Sequence, residues 1–116
     1  AIGLELWNER RERIIIHDIE NWGSLKDGRH SHFERGSLDV FSGLGQCLST
    51  PICGMRLTSD GSGRSPDWYC EYIEVTTTRP GVHCTKQTFE VDQWLVAYKS
   101  IQRNYCPYDL LTQAQA

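Results

Sequence analysis

Hydrophobic and polar residues alternate along most of the chain, and a period of two is the pattern of half-buried β-strands. The clearest segments are rich in aromatic and β-branched residues and are bounded by glycine, proline and serine. Strands are predicted at residues 37–41, at the alternating Cys53, Met55 and Leu57, at residues 68–78 and at residues 82–91. The pattern therefore favours an all-β chain folded as an antiparallel β-sandwich.

The longest of these segments changes its alternation midway. Trp68 and Cys70 share one face of an ideal strand, whereas Ile73 and Val75 share the other. A β-bulge between the two pairs would return all four side chains to the core. The sequence therefore predicts an irregularity in the middle of this strand.

The first residues fit two patterns equally well. Leu4 and Trp7 fall near a helical period among good helix formers. Alternatively, Leu4 and Leu6 alternate on one strand, residues 8–12 form a polar turn, and residues 14–16 form a β-branched strand. The residues alone leave both alternatives open.

Length and charge exclude several classes of protein. The chain has 116 residues, 12 Lys and Arg against 15 Asp and Glu, and a net charge of −3. One domain over residues 1–110 with a frayed tail at 111–116 is expected. No apolar run approaches the ~20 residues that cross a bilayer. The chain also lacks the surplus of basic residues that is typical of nucleic-acid-binding proteins.

The cysteine count is odd. The five cysteines are Cys47, Cys53, Cys70, Cys84 and Cys106. Their spacing does not match that of a zinc site. Cysteines this frequent predict disulfides and an oxidising compartment, meaning a secreted or endoplasmic-reticulum-lumen protein. An odd number leaves either one free thiol or a partner outside this sequence.

No catalytic residues are predicted. The chain lacks a G-x-S-x-G motif, and bridged cysteines supply no thiolate. A small enzyme that uses a pocket on the sandwich face stays an alternative to a binding module. Another alternative is a carbohydrate-binding sandwich, which would present exposed aromatic rings on one face.

Several ordered motifs resemble those of PLAT domains. The F-x-R-G-x-x-D-x-F segment occupies residues 33–41, and the W-x-x-x-x-I/V-x-V strand occupies residues 68–75. The intervening loop matches at 57–63, and the closing element matches at Phe89 and residues 93–95. With its cysteines, the chain is similar to small secreted plant PLAT-domain proteins associated with stress responses. The resemblance implies a sandwich that binds lipid, a membrane surface or a protein partner.

The resemblance also implies a cysteine framework and decides how the chain starts. The plant proteins carry six cysteines and a strand before the segment that matches residues 2–7. We therefore expect strand–turn–strand at the start, a missing first strand, and another strand or chain that completes the sheet. The implied bridges are Cys47–Cys53 and Cys70–Cys84, with Cys106 facing the absent cysteine.

Calcium is the one cofactor that the resemblance suggests, because PLAT domains of lipoxygenases use it in their loops. Hard cations need several oxygen ligands, and carboxylates in converging loops provide them. Turn aspartates more often cap their own backbone. The candidate ligands are Asp18, Asp27, Asp39, Asp60 and Asp67.

Tryptophans provide the candidate membrane contacts. Trp22 lies beside Leu25 in a predicted loop, and Trp7 is the second candidate. Trp22 packed under its own loop is the alternative. Trp68 and Trp94 occupy motif positions that predict core packing.

Overall fold

The computed structural model describes residues 1–23, 39–62, 67–79 and 82–107. The elements follow one another as β1 (Ile2–Asn8), β2 (Arg13–Ile16), α1 (Ile19–Gly23), β3 (Ile52–Ser59), β4 (Trp68–Arg79), β5 (Val82–Leu95) and β6 (Ser100–Asn104). No helix in these ranges is long and apolar enough to cross a membrane.

The strands form two antiparallel sheets. One has four strands in the order β2-β1-β3-β6, and the other is the β4-β5 hairpin. Strand β5 packs against β3 and β6, so the two sheets meet along that line. The largest fully buried apolar side chains are Phe89, Met55, Leu57 and Leu95. The predicted all-β sandwich is confirmed.

The opening of the chain is strand–turn–strand. β1 pairs with β2 from Leu4 opposite Ile16 to Trp7 opposite Arg13. Asn8 is fully buried and organises the turn, because its side-chain oxygen accepts hydrogen bonds from the backbone N–H groups of Arg10 and Glu12. The strand alternative is confirmed for this region and the helical one is excluded.

The predicted irregularity in β4 is also confirmed. The register with β5 shifts between Cys70 and Tyr72. Cys70 lies in the core, and Trp68, Ile73 and Val75 all pack against it. The shift therefore returns both halves of the strand to the same interior.

The predicted strand at 37–41 lies only partly within the described residues. Of its described part, Phe41 alone forms a β-bridge. The tail at 111–116 lies outside the described residues.

The expected disulfide pairing is wrong. Cys53 is bonded to Cys106, with their Cα atoms 5.1 Å apart. The cause is the β3–β6 pairing, which places Gly54 opposite Asn104 and so brings the two cysteines together. Cys53 is thus unavailable to Cys47, and Cys106 has its partner within the chain.

The expected Cys70–Cys84 bridge is wrong for a geometric reason. Cys70 pairs with Gln93 at one end of the hairpin, while Thr85, next to Cys84, pairs with Thr77. About eight residues of strand separate the two thiols, which is roughly 25 Å. A disulfide needs Cα atoms within about 7 Å. Cys47, Cys70 and Cys84 are free thiols.

Candidate functional site

An apolar groove opens between the two sheets on the side away from the β5–β6 contact. It is bounded by β1 and β2, by α1, by the segment 41–52 and by one half of the β4–β5 hairpin. Its volume is about 520 Å³. Cavities of roughly 300–1,000 Å³ with mostly apolar walls are typical ligand sites.

The walls of the groove come from both sheets. Ile14 and Ile16 come from β2, Val75 from β4, and Leu48 from the connecting segment. Each is an inward position of its element and packs against or within the hydrophobic core. The groove is therefore an extension of the core that is open to solvent.

Trp22 forms one end of the groove and is held there by its helix. Asp18 caps α1 by accepting hydrogen bonds from the backbone N–H groups of Glu20 and Asn21. The Trp22 indole lies against Gly43, where a Cβ atom would come within 2.7 Å of the ring. Ser42 N–H donates to the Gly23 carbonyl at 2.9 Å, which fixes the same contact.

The chemistry of the groove is neutral. None of the described residues that line it carries a formal charge. Its polar side-chain groups are hydroxyls, one amide, the Cys47 thiol and the Trp22 indole. The Thr77 and Thr85 hydroxyls hydrogen-bond to each other across the hairpin. Such a lining accepts an uncharged apolar ligand and offers no counter-ion to a phosphate or carboxylate.

The segment that forms the floor of the groove is held by the β1–β2 turn. Glu12 accepts hydrogen bonds from the Ser49 N–H at 2.9 Å, from the Ser49 hydroxyl and from the Asn8 amide. These bonds, with a smaller effect of Arg10, lower the pKa of Glu12 to about 2. The predicted polar turn at residues 8–12 therefore also anchors the site.

The two predicted membrane-contact tryptophans have different surroundings. Trp22 is half-buried in the groove and is the fourth of the five residues of α1, so the loop predicted for it is wrong. Trp7 is only 3% exposed, so its expected membrane contact is wrong. Its indole lies over Gly54, donates to Asn104 Oδ1 at 3.3 Å, and is covered by the Arg13 guanidinium. Leu25 lies outside the described residues.

The candidate calcium ligands in the described ranges are dispersed. Asp18 caps α1, Asp60 accepts from the Ser62 N–H at 2.9 Å, and Asp67 accepts from the Ala97 N–H at 3.2 Å. No three acidic, histidine or cysteine side chains cluster within the described ranges, which include Asp39. Asp27 lies outside them. Calcium binding stays a prediction.

A second surface was missed by the sequence analysis. Tyr69 and Trp94 are cross-strand partners on the outer face of the hairpin, with ring centroids 5.6 Å apart. Trp94 is 59% exposed, so its predicted core position is wrong. Continuing the alternation of Phe89 and Val91 to Leu95 would have placed Trp94 outside.

The three free thiols differ in their exposure to solvent. Burial, with smaller effects of Asp92 and Glu71, raises the pKa of Cys70 to about 11. Cys47 is exposed at the groove and Cys84 is exposed on the outer face of β5.

Comparison with known proteins identifies the family. The PLAT/LH2 domain model matches residues 16–106. The chain belongs to the PLAT/LH2 domain family. PLAT domains are typically modules that interact with proteins or lipids, and the family is non-catalytic.

The relatives are plant and animal proteins. This PLAT domain is 46% identical over 110 residues to PLAT domain-containing protein 3 of Arabidopsis thaliana, covering 94% of this chain and 100% of the relative. It is 41% identical over 114 residues to PLAT domain-containing protein 2 of the same plant, covering 94% of this chain and 62% of the relative. It is 40% identical over 74 residues to mouse polycystin-1-like protein 3, covering 61% of this chain and 3% of the relative. No solved structure matches the chain.

Proposed function

We propose that this PLAT domain is a lipid-binding module that takes an uncharged acyl chain into the apolar groove. The groove itself carries the proposal, because it joins an apolar interior to solvent and has no charged lining residue among those described. Removal of an acyl chain from water is favourable by about 0.8 kcal/mol per buried CH₂. The proposed setting is a plant stress response in an oxidising compartment, secreted or in the endoplasmic-reticulum lumen, which the Cys53–Cys106 disulfide supports.

The groove suits a chain better than a charged headgroup. A phosphate would need arginine, lysine or a set of free backbone N–H groups. The groove instead presents Ile14, Leu48 and Val75 with threonine hydroxyls at the hairpin. A monoacylglycerol combines an apolar chain with a small uncharged hydroxylated end, and it matches this lining.

Fluorescence quenching tests the proposal, since Trp22 lines the groove. A monoacylglycerol brominated in mid-chain is titrated into the protein, and bromine quenches an indole in contact with it. Wild type is expected to show saturable quenching. Trp22→Phe keeps the apolar wall but should lose most of the quenching, while the remaining tryptophans, which include buried Trp7, respond little.

A charge in the groove provides the matched variant. Val75→Asp places a carboxylate against the chain and should weaken binding at least tenfold. Val96→Asp makes the same change on the exposed loop after β5 and should leave binding unchanged. Equal quenching in wild type and Val75→Asp, or no saturable quenching in wild type, would contradict the proposal.

A further inference from the structure

The hairpin carries a cluster of exposed aromatic rings on the face turned away from the groove. Trp68 and Leu95 point inward as a pair, so the next pair, Tyr69 and Trp94, points outward. After the register shift, Ile73 and Phe89 point inward and Tyr72 points outward. Tyr69, Tyr72 and Trp94 are 37%, 46% and 59% exposed, and we call them the aromatic platform.

The platform is held in place before any ligand arrives. Tyr69 and Trp94 pack edge to face with ring planes at 75°. Rings fixed by each other and by a strand backbone lose little conformational entropy on binding. Tyr72 lies three residues further along β4, which places it about 10 Å from Tyr69 along the strand.

Hydrogen-bond acceptors stand beside the rings. Glu90 is the cross-strand partner of Tyr72 and is exposed on the same face. Thr88 is exposed two residues away on β5, and Glu74 opposite it is paired with Lys86 at 3.6 Å. A carboxylate accepts strong hydrogen bonds from hydroxyl groups.

The charges of this face disfavour an anionic surface. Lys86 is the only cation among the described outer-face side chains of the hairpin, and it forms an ion pair with Glu74. Glu71, Glu90 and Asp92 are further exposed acids of the hairpin, and together they outnumber Arg103 of β6, whose guanidinium reaches the carbonyls of Glu90 and Val91. Anionic membranes are bound through clustered lysine and arginine, and a polyanion would be repelled here.

We infer that the aromatic platform binds a neutral oligosaccharide of β-linked hexopyranose units. The apolar C–H face of a pyranose ring stacks on an aromatic face, while its equatorial hydroxyls point sideways to acceptors such as Glu90. The spacing from Tyr69 to Tyr72 is comparable to the length of two linked pyranose rings. The surface lies on the opposite face of the hairpin from the groove, so the two ligands do not compete.

Affinity electrophoresis tests this inference with soluble neutral polysaccharides cast in native gels. The probes are hydroxyethylcellulose, xyloglucan and glucomannan, and a gel without polysaccharide gives the reference mobility. Retardation of wild type in at least one β-linked gel is expected. Trp94→Ala should weaken it at least tenfold because the largest exposed ring is removed.

Three variants separate this surface from the others. Tyr98→Ala removes a ring that is 80% exposed on the loop beyond β5, outside the platform, and should leave retardation unchanged. Val75→Asp alters the groove and should also leave it unchanged, so failure here is distinct from failure of lipid binding. Trp94→Phe should restore part of the binding lost in Trp94→Ala.

The inference is overturned by either of two results. One is that the wild-type protein migrates in all three polysaccharide gels with the same mobility as in the gel without polysaccharide. The other is retardation that Trp94→Ala does not weaken, with circular dichroism confirming that the variant is folded. Flotation of the wild type with zwitterionic phosphatidylcholine vesicles would also overturn it, if Trp94→Ala and Tyr98→Ala lost flotation equally and no gel retarded the protein. That result would assign the rings to a membrane surface.

Discussion

The two sheets are stabilised in different ways. The four-stranded sheet has a disulfide between β3 and β6, a buried asparagine in its first turn, and Trp7 laid over Gly54. The β4–β5 hairpin has no disulfide among its described residues. It is fixed by cross-strand pairs and by Arg103, which donates to the backbone carbonyls of Glu90 and Val91.

The difference indicates that the two sheets have different roles in the domain. The four-stranded sheet is a frame in which single changes should cost much stability. The hairpin forms one wall of the groove with its inner face and presents aromatic rings on its outer face. Because successive strand residues point to opposite sides, two unlike surfaces arise from the same two strands. Changes at the groove-lining and outer-face positions of the hairpin should affect binding more than stability, whereas changes at its core residues Phe89 and Leu95 should destabilise the fold.

Loss of the disulfide is expected to have the largest effect. Cys53→Ala with Cys106→Ala opens a covalent loop whose ends are 53 residues apart. Loop-closure entropy then predicts a loss of about 4 kcal/mol in the free energy of unfolding. Urea denaturation measures it, with Cys84→Ala as the control that removes an unbonded thiol. A loss below about 1 kcal/mol would contradict the role given to this bridge.

A methyl group under Trp7 should have the next largest effect. In Gly54→Ala the new Cβ would lie 2.0 Å from the indole Nε1, so the ring or the strand must move. Overpacking of this kind typically costs 1–3 kcal/mol. Thermal unfolding and near-ultraviolet circular dichroism report it. Gly45→Ala, where the nearest side-chain atom is 3.7 Å away, should change neither signal.

The hydroxyl pair inside the hairpin should matter less. Thr77→Val with Thr85→Val removes both members of one hydrogen bond and keeps their shape. Replacing both partners by apolar groups is nearly neutral, so we expect less than about 1 kcal/mol in unfolding free energy. Binding of the brominated monoacylglycerol should be retained. A loss of unfolding free energy as large as that in Gly54→Ala would contradict the distinction drawn between the two sheets.

Alternation alone was sufficient to predict much of this architecture. It located β3, β4 and β5, and the change of parity between Cys70 and Ile73 revealed the irregularity in β4. These are local signals, because each depends on side chains a few residues apart on one strand. The same signal extended to Leu95 would also have placed Trp94 on the outside.

Contacts between distant segments could not be predicted in this way. The Cys53–Cys106 bond depends on β3 pairing with β6, and burial of Trp7 depends on a glycine in the neighbouring strand. The groove needs α1, the segment 41–52 and the hairpin to meet. No spacing along the sequence encodes such a meeting, which is why Trp7 and the disulfides were assigned wrongly.

Acid should weaken the anchor of the groove, with the smallest effect of the series. The folded-state pKa of Glu12 is lowered from 4.5 to about 2, so its stabilising contribution is full above pH 4.5 and is lost as the pH falls toward 2. The Glu12→Gln variant should lack this part of the fall in unfolding free energy at low pH. The comparison uses urea midpoints from pH 6 to pH 2. Other carboxylates such as Asp60 are common to both proteins and cancel in the difference.

The central claim is that the groove between the sheets holds an uncharged acyl chain. A titration of the ¹⁵N-labelled protein with monoacylglycerol, followed by amide and indole chemical shifts, tests it most directly. The account predicts saturable shifts at Ile14, Leu48, Val75 and the Trp22 indole, and none at Thr88 or the Trp94 indole. Shifts confined to the outer face of the hairpin, or no saturable shifts at all, would contradict it.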